Sequence, residues 1–80
     1  MNSVELCKKL ADNKQFFLMQ FHDVGVGLDT DIDSRDIAEI LFFDNQIEIT
    51  NHDGLIFLTD DKHIYEIWDD ENELNYIKGL

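Results

Sequence analysis

Hydrophobic positions between residues 40 and 68 fall into four short runs separated by turn residues. The runs cover residues 40–43, 47–49, 55–58 and 63–68. Asp44-Asn45 and Asp53-Gly54 are residue types that tolerate the left-handed backbone of tight turns. Asp60, Asp61 and Lys62 interrupt the pattern again. The spacing therefore predicts three consecutive hairpin steps.

The runs differ in periodicity, which predicts different positions in a sheet. Ile47 and Ile49 alternate with polar residues, as in a strand with one wet face. Residues 55–58 are apolar on both faces, so we expect a central strand covered by a helix or a partner chain. Residues 36–41 also have helical spacing behind a possible cap at Ser34. A strand over 40–43 is predicted, with a helical turn at 34–39 as the alternative.

The two ends of the chain carry helical patterns. Ser3 is a candidate N-cap for a helix over 3–12, whose apolar positions recur at helical spacing: Val4, Cys7, Leu10 and Ala11. Acidic residues preceding Leu74 and Ile77 predict a second helix over 70–78.

Between the first helix and the hairpins, residues 15–21 alternate as a strand, with Phe17, Met19 and Phe21 on one face. Gly25 and Gly27 predict a bend or bulge, and residues 28–36 a loop or edge segment. The sequence thus predicts a single α+β domain over residues 1–80. Its antiparallel sheet of four to five strands forms a hairpin meander, with an N-terminal and a C-terminal helix packed on one face.

The charge is strongly negative and unevenly distributed. The chain has a formal net charge of −12. Residues 1–28 carry three lysines and three acids, whereas residues 29–80 carry three basic residues and fifteen acids. Such an excess repels itself and needs core burial or a cationic partner to offset it. It also argues against direct nucleic-acid binding, because no basic patch can displace counterions.

No residue pattern specifies an active site, a cofactor site or a metal site, so the chain is not predicted to be an enzyme. Asp29, Asp31 and Asp33 resemble the start of an EF-hand calcium loop, but Ser34 stands where that loop needs glycine, and Ile40 where it needs glutamate. The three histidines form no ligand-spaced pair. Cys7 lies on the apolar stripe of the first helix, which predicts a buried, inert thiol.

The acidic residues predict a protein-binding surface instead. In an extended segment, Asp29, Asp31 and Asp33 project from one face about 6.6 Å apart, two strand rises. Such a row could meet arginines that normally bind phosphates. The predicted partner-binding residues are Asp29, Asp31, Asp33, Asp60, Asp61, Tyr65, Trp68, Asp69, Asp70, Glu71 and Glu73, with Tyr76 as a further possible aromatic anchor.

In size and charge, though through no motif, the chain resembles phage proteins that block CRISPR or restriction nucleases. That resemblance implies a small acidic inhibitor that mimics DNA and occupies the basic nucleic-acid-binding surface of an enzyme. The alternatives are an immunity or antitoxin protein that neutralises a basic toxin, and a module that homodimerises through an apolar sheet face or a free edge. No signal peptide or membrane span is visible, so a cytoplasmic location is expected, in the host cytosol if a phage encodes the protein.

Overall fold

The computed structural model describes residues 2–69 and the pair Tyr76–Ile77. Within these residues it contains one α-helix, α1 (Ser3–Asp12). The strands are β1 (Phe17–Asp23), β2 (Leu28–Asp33), β3 (Ile37–Phe42), β4 (Gln46–Asn51), β5 (Ile56–Asp60), β6 (Ile64–Asp69) and β7 (Tyr76–Ile77). A 3-10 turn, Ser34–Asp36, joins β2 to β3. None of the described helices is long and apolar enough to cross a membrane.

The strands form two antiparallel sheets, so the predicted single sheet of four to five strands is wrong. The first sheet has the order β2-β1-β6-β7 and the second has the order β3-β4-β5. The two hairpins around β4 form as predicted. The third reversal does not close a hairpin, because β6 pairs with β1 rather than with β5. The turn at residues 61–63 therefore carries the chain from one sheet into the other.

Two further predictions, the central position of β5 and a helix that includes residues 76 and 77, are wrong. Strand β5 is at the end of its sheet, not at its centre, and Leu55 and Ile56 are exposed. Apolar side chains on both faces of the strand did not show whether it lies at the centre or at the end of a sheet. Tyr76 and Ile77 extend the first sheet by pairing with β6, where a helix was predicted. The rest of the predicted helix over 70–78 lies outside the described residues.

Both sheets and α1 share one hydrophobic core. The predicted inward face of β1 is confirmed, because Phe17, Met19 and Phe21 are all buried. Ile47 and Ile49 contribute the core side of β4, which confirms its predicted alternation. The rings of Phe21 and Phe57 meet edge to face with centroids 6.2 Å apart, which links the two sheets across the core.

The helix over 3–12 is confirmed, although its cap lies one residue earlier than predicted. The Asn2 side chain accepts a hydrogen bond from the Glu5 amide at 2.8 Å. Ser3 is fully buried, and its hydroxyl donates to Asp61 Oδ1 at 2.6 Å. The start of α1 is thereby attached to the turn that connects β5 with β6.

The two sheets are also joined directly at the end of β1. The Val24 amide donates to the Leu58 carbonyl at 2.8 Å. Asp23 is only 3% exposed, and its Oδ1 accepts from the amides of Gly25 at 2.9 Å and Leu58 at 3.2 Å. This buried carboxylate therefore accepts hydrogen bonds from main-chain amides of the β1–β2 turn and of β5, at a place where the two sheets have no regular strand pairing.

Candidate functional site

The most distinctive surface is the outer side of the first sheet, which we call the acidic face. Alternation along β1, β2 and β6 places one set of side chains away from the core. No lysine or arginine lies in these three strands. The acidic face consists of Leu18, Gln20, His22, Asp29, Asp31, Asp33, Tyr65, Glu66 and Trp68.

Three aspartates of β2 form a straight row on this face. Asp29, Asp31 and Asp33 pair with His22, Gln20 and Leu18 in an antiparallel register without a shift, while Ile32 points into the core. The residue spacing separates neighbouring carboxylates by about 6.6–6.8 Å. They extend along the strand rather than converging as in a calcium loop. No metal-ligating group of three or more acidic, histidine or cysteine side chains occurs in the described residues.

Asp29 has hydrogen-bond partners on the adjacent strand β1 and on β6, which lies beyond β1. Its Oδ1 lies 2.7 Å from His22 Nδ1 and accepts from the Tyr65 hydroxyl at 3.1 Å. The bond to His22, and then the bond to Tyr65, lower the pKa of Asp29 below its ordinary value of 3.8. Burial and then the Asp29 carboxylate raise the pKa of Tyr65. Asp29 therefore stays ionised and Tyr65 stays a hydrogen-bond donor at neutral pH.

The other end of the row is bound to the only arginine. Arg35 Nη2 donates to Asp33 Oδ2 at 2.6 Å, and its Nε donates to Oδ1 at 3.1 Å. These bonds lower the pKa of the Asp33 carboxyl. The guanidinium also lies 4.9 Å from the centre of the Phe16 ring. Asp31, between the two engaged aspartates, is exposed.

The aromatic residues of the acidic face come from β6, where a bulge changes the alternation. The register of β6 on β1 shifts next to Phe21, so that Ile64 and Ile67 both point into the core. Trp68 remains 36% exposed, and its indole donates to Glu66 Oε2 at 3.0 Å. Trp68 lies opposite Leu18, which is also exposed. An exposed apolar pair thus borders the carboxylates.

Two of the predicted partner-binding aspartates have structural contacts instead of a place on this face. Asp60 Oδ1 accepts from the amides of Lys62 and His63, both at 3.0 Å. Asp61 accepts from the amide and hydroxyl of Ser3, and the hydroxyl bond is the main cause that lowers its pKa. Asp69 ends β6 opposite Phe17 and is half-buried. Asp70, Glu71 and Glu73 lie outside the described residues, as does the side chain of Tyr76.

A groove of about 650 Å³ is lined by residues of both sheets. Asp31, Ile32 and Asp33 of β2 contribute to it, together with residues 18–20 of β1 and Trp68 of β6. The loop at residues 51–53 and the ring of Phe57 line another part of it. The loop is held in shape because Asn51 Oδ1 accepts from the amides of Asp53 and Leu55, both at 2.9 Å. The groove therefore combines carboxylates with apolar surface.

Sequence reasoning did not find the contact between His22 and His63. Their ring centres are 5.6 Å apart, and His63 Nδ1 lies 2.6 Å from Asp60 Oδ1. The two histidines are 41 positions apart in the sequence. His22 lies in β1 and His63 lies directly before β6, so they meet only because β1 pairs with β6. Cys7 is as predicted: it is fully buried, and burial raises its pKa to about 12, so the thiol is inert.

Comparisons of this chain with protein-family models, with curated proteins and with solved structures give no match.

Proposed function

We propose that the protein is a small acidic inhibitor whose acidic face binds the basic nucleic-acid-binding surface of an enzyme. The observation that carries this proposal is the row of Asp29, Asp31 and Asp33 on one side of a regular strand. A row of carboxylates at fixed spacing presents charge to arginine and lysine side chains much as a polyanion does. Hydrogen bonds keep the two outer members of the row ionised.

The neighbouring side chains support binding to a protein rather than a purely solvated surface. Trp68 and Leu18 add exposed apolar area beside the carboxylates. Aromatic side chains commonly provide much of the binding energy at protein interfaces, and an indole also attracts guanidinium groups. The same charges disfavour self-association through this face, because two copies would bring like charges together.

The proposal is tested by assaying DNA cleavage with a panel of guide-loaded CRISPR nucleases and restriction endonucleases. We expect inhibition of at least one enzyme that weakens as salt rises and that excess duplex DNA relieves. The informative variant carries Asp29→Asn, Asp31→Asn and Asp33→Asn and should lose at least about tenfold in potency. A control removes the same number of charges from the region of the second sheet, with Glu39→Gln, Asp44→Asn and Glu48→Gln, and should retain potency.

Equal loss of potency in the two triple variants would contradict a role for the acidic face. Inhibition that neither salt nor DNA affects would contradict occupation of a basic groove. If the panel shows no inhibition, capture from a bacterial lysate at low and high salt extends the search to other nucleic-acid enzymes. Failure to capture and inhibit any such enzyme would overturn the proposal. Rescue of growth against one cognate toxin would instead indicate an antitoxin.

A further inference from the structure

Strand β2 is the terminal strand of the first sheet on the side away from β6. Its pairing with β1 covers residues 28–33 without a register shift, whereas the pairings of β1 with β6 and of β3 with β4 both contain one. Among the described residues, no other strand pairs with its second edge. Such an edge presents main-chain donors and acceptors that a further strand can use.

The groove of about 650 Å³ includes three residues of this strand in its lining, Asp31, Ile32 and Asp33. Residues from both faces of β2 contribute, because Asp31 and Asp33 point outward and Ile32 points inward. Phe57 adds apolar surface, and Asp36 and Asp53 add exposed carboxylates. The groove therefore combines several carboxylates with apolar surface, to which the core-facing Ile32 of this strand contributes.

We propose that this edge binds an extended basic segment of the partner as an additional β-strand. Lysine or arginine at every second position would face Asp29, Asp31 and Asp33, and apolar side chains at the positions between would point toward Ile32 and Phe57. The inference rests on the proposed function, from which it takes the basic character of the partner. It adds the form of recognition: main-chain pairing with an alternating sequence.

The alternation of charge on β2 makes this edge selective. Side chains directly opposite each other on neighbouring strands lie about 5 Å apart, so opposite charges attract there and like charges repel. A second copy of β2 would place aspartates next to aspartates. A basic strand instead gains both the main-chain hydrogen bonds and the paired charges. The charges of β2 therefore disfavour pairing with a second copy of β2 and favour pairing with a basic strand.

The test uses four blocked seven-residue peptides and the full chain labelled with nitrogen-15. The first peptide alternates lysine and valine, and the second has the same composition with all lysines before all valines. The third and fourth repeat the alternating sequence with N-methyl groups on every valine or on every lysine. Since successive amides of a strand point to opposite edges, each methylated peptide lacks the donors of one edge only.

We expect the alternating peptide to bind at least about tenfold more tightly than the segregated one. One methylated peptide should lose binding and the other should keep it, because only one edge of the peptide meets β2. Amide exchange in residues 28–33 should slow in the complex, while exchange in β3, one of the two terminal strands of the other sheet, should not change. Asp31→Lys should abolish binding, and Glu48→Lys, which makes the same change in net charge on β4, should leave it intact.

Equal binding of the alternating and segregated peptides, equal effects of the two methylations, or unchanged exchange in β2 would each overturn the inference. If any of these results occurs while the triple variant of β2 still loses inhibition, the acidic face binds its target through side chains alone and the proposed function stands. If no enzyme is inhibited or captured but the alternating peptide pairs with β2, the edge binds basic strands and the inhibitor function is wrong.

Discussion

The two sheets of this protein differ in how far apart their paired strands lie in the sequence. The second sheet joins β3, β4 and β5, which follow one another in sequence and are connected by tight turns. The first sheet places β1 between β2 and β6, and β6 begins 41 positions after β1 ends. Its pairing with β1 is therefore a long-range contact that closes a large loop.

The outer surfaces of the two sheets also differ in the residues that they present. On the second sheet, exposed Leu41 and Ile56 are mixed with Glu48, without a continuous row of one type. On the first sheet, residues from three strands combine into the acidic face. The comparison indicates that the sheet that includes a long-range strand pair carries a continuous acidic surface, whereas the outer surface of the locally paired sheet is mixed.

Removal of the Asp23 carboxylate, which connects the two sheets, is expected to change stability most. Asp23→Ala removes a buried carboxylate that accepts from the amides of Gly25 and Leu58. Both donors would be left without this partner, so we expect a loss of about 2–4 kcal/mol in the free energy of unfolding. Urea denaturation at pH 7 measures the loss. Asp31→Ala, which removes an exposed aspartate of the neighbouring strand, is the control and should change stability far less.

A similar loss in the two variants would show that Asp23 does not hold the sheets together. A second informative outcome concerns the form of the transition. Because both sheets share one hydrophobic core, Asp23→Ala should still unfold in one step, with a lower urea midpoint and an unchanged slope. A separate early transition of one sheet in this variant would mean that the contacts of Asp23, rather than the shared core, couple the two sheets.

The attachment of α1 to the turn between the sheets gives a smaller, pH-dependent effect. Ser3→Ala removes the hydroxyl that donates to Asp61 and should cost about 1–2 kcal/mol at pH 7. The folded pKa of Asp61 lies below its ordinary 3.8. This stabilisation is therefore present above about pH 4–5 and is lost as pH falls through the unfolded and then the folded pKa.

Denaturation of the wild type and of Ser3→Ala at several pH values checks this prediction. The difference in unfolding free energy should shrink below about pH 4, because protonated Asp61 no longer accepts a charge-assisted bond. A difference that stays constant between pH 7 and the acid range would assign the effect of Ser3 to packing alone. Asn2→Ala provides a matched control, since its cap bond to Glu5 does not involve Asp61.

The contrast between local and distant contacts also explains what could be predicted from the sequence. Alternation identified the buried sides of β1 and β4, and turn residues identified the hairpins on either side of β4, because these signals depend on neighbouring positions. The pairing of β6 with β1 has no such signal. Residues 60–63 look like a hairpin turn, yet the bonds of Asp60 to Lys62 and His63, and of Asp61 to Ser3, stabilise a change of sheet.

The candidate site also has one part that local sequence predicts and another part that depends on the pairing of distant strands. The row of Asp29, Asp31 and Asp33 follows from period-two spacing in one segment and could be placed on one face in advance. The contribution of Trp68 and the contact of Asp29 with Tyr65 arise only when β6 joins β1, whereas the contact of Asp29 with His22 belongs to the pairing of β1 with β2. The charged turn residues Asp60 and Asp61 were grouped with the surface because their sequence does not reveal their hydrogen-bond partners.

The smallest expected effect tests whether β6 tunes the charges on β2. Tyr65→Phe removes one of the two hydrogen bonds that lower the pKa of Asp29, so that pKa should rise toward 3.8. His22→Gln should raise it further, because the bond to His22 is the larger cause. Carboxylate carbon-13 shifts followed from pH 2 to pH 6 measure both changes, with Asp33 as the internal control since its pKa depends on Arg35. A pKa of Asp29 that does not move in Tyr65→Phe, or that moves together with that of Asp33, would mean that β6 supplies aromatic surface to the acidic face without setting its charge.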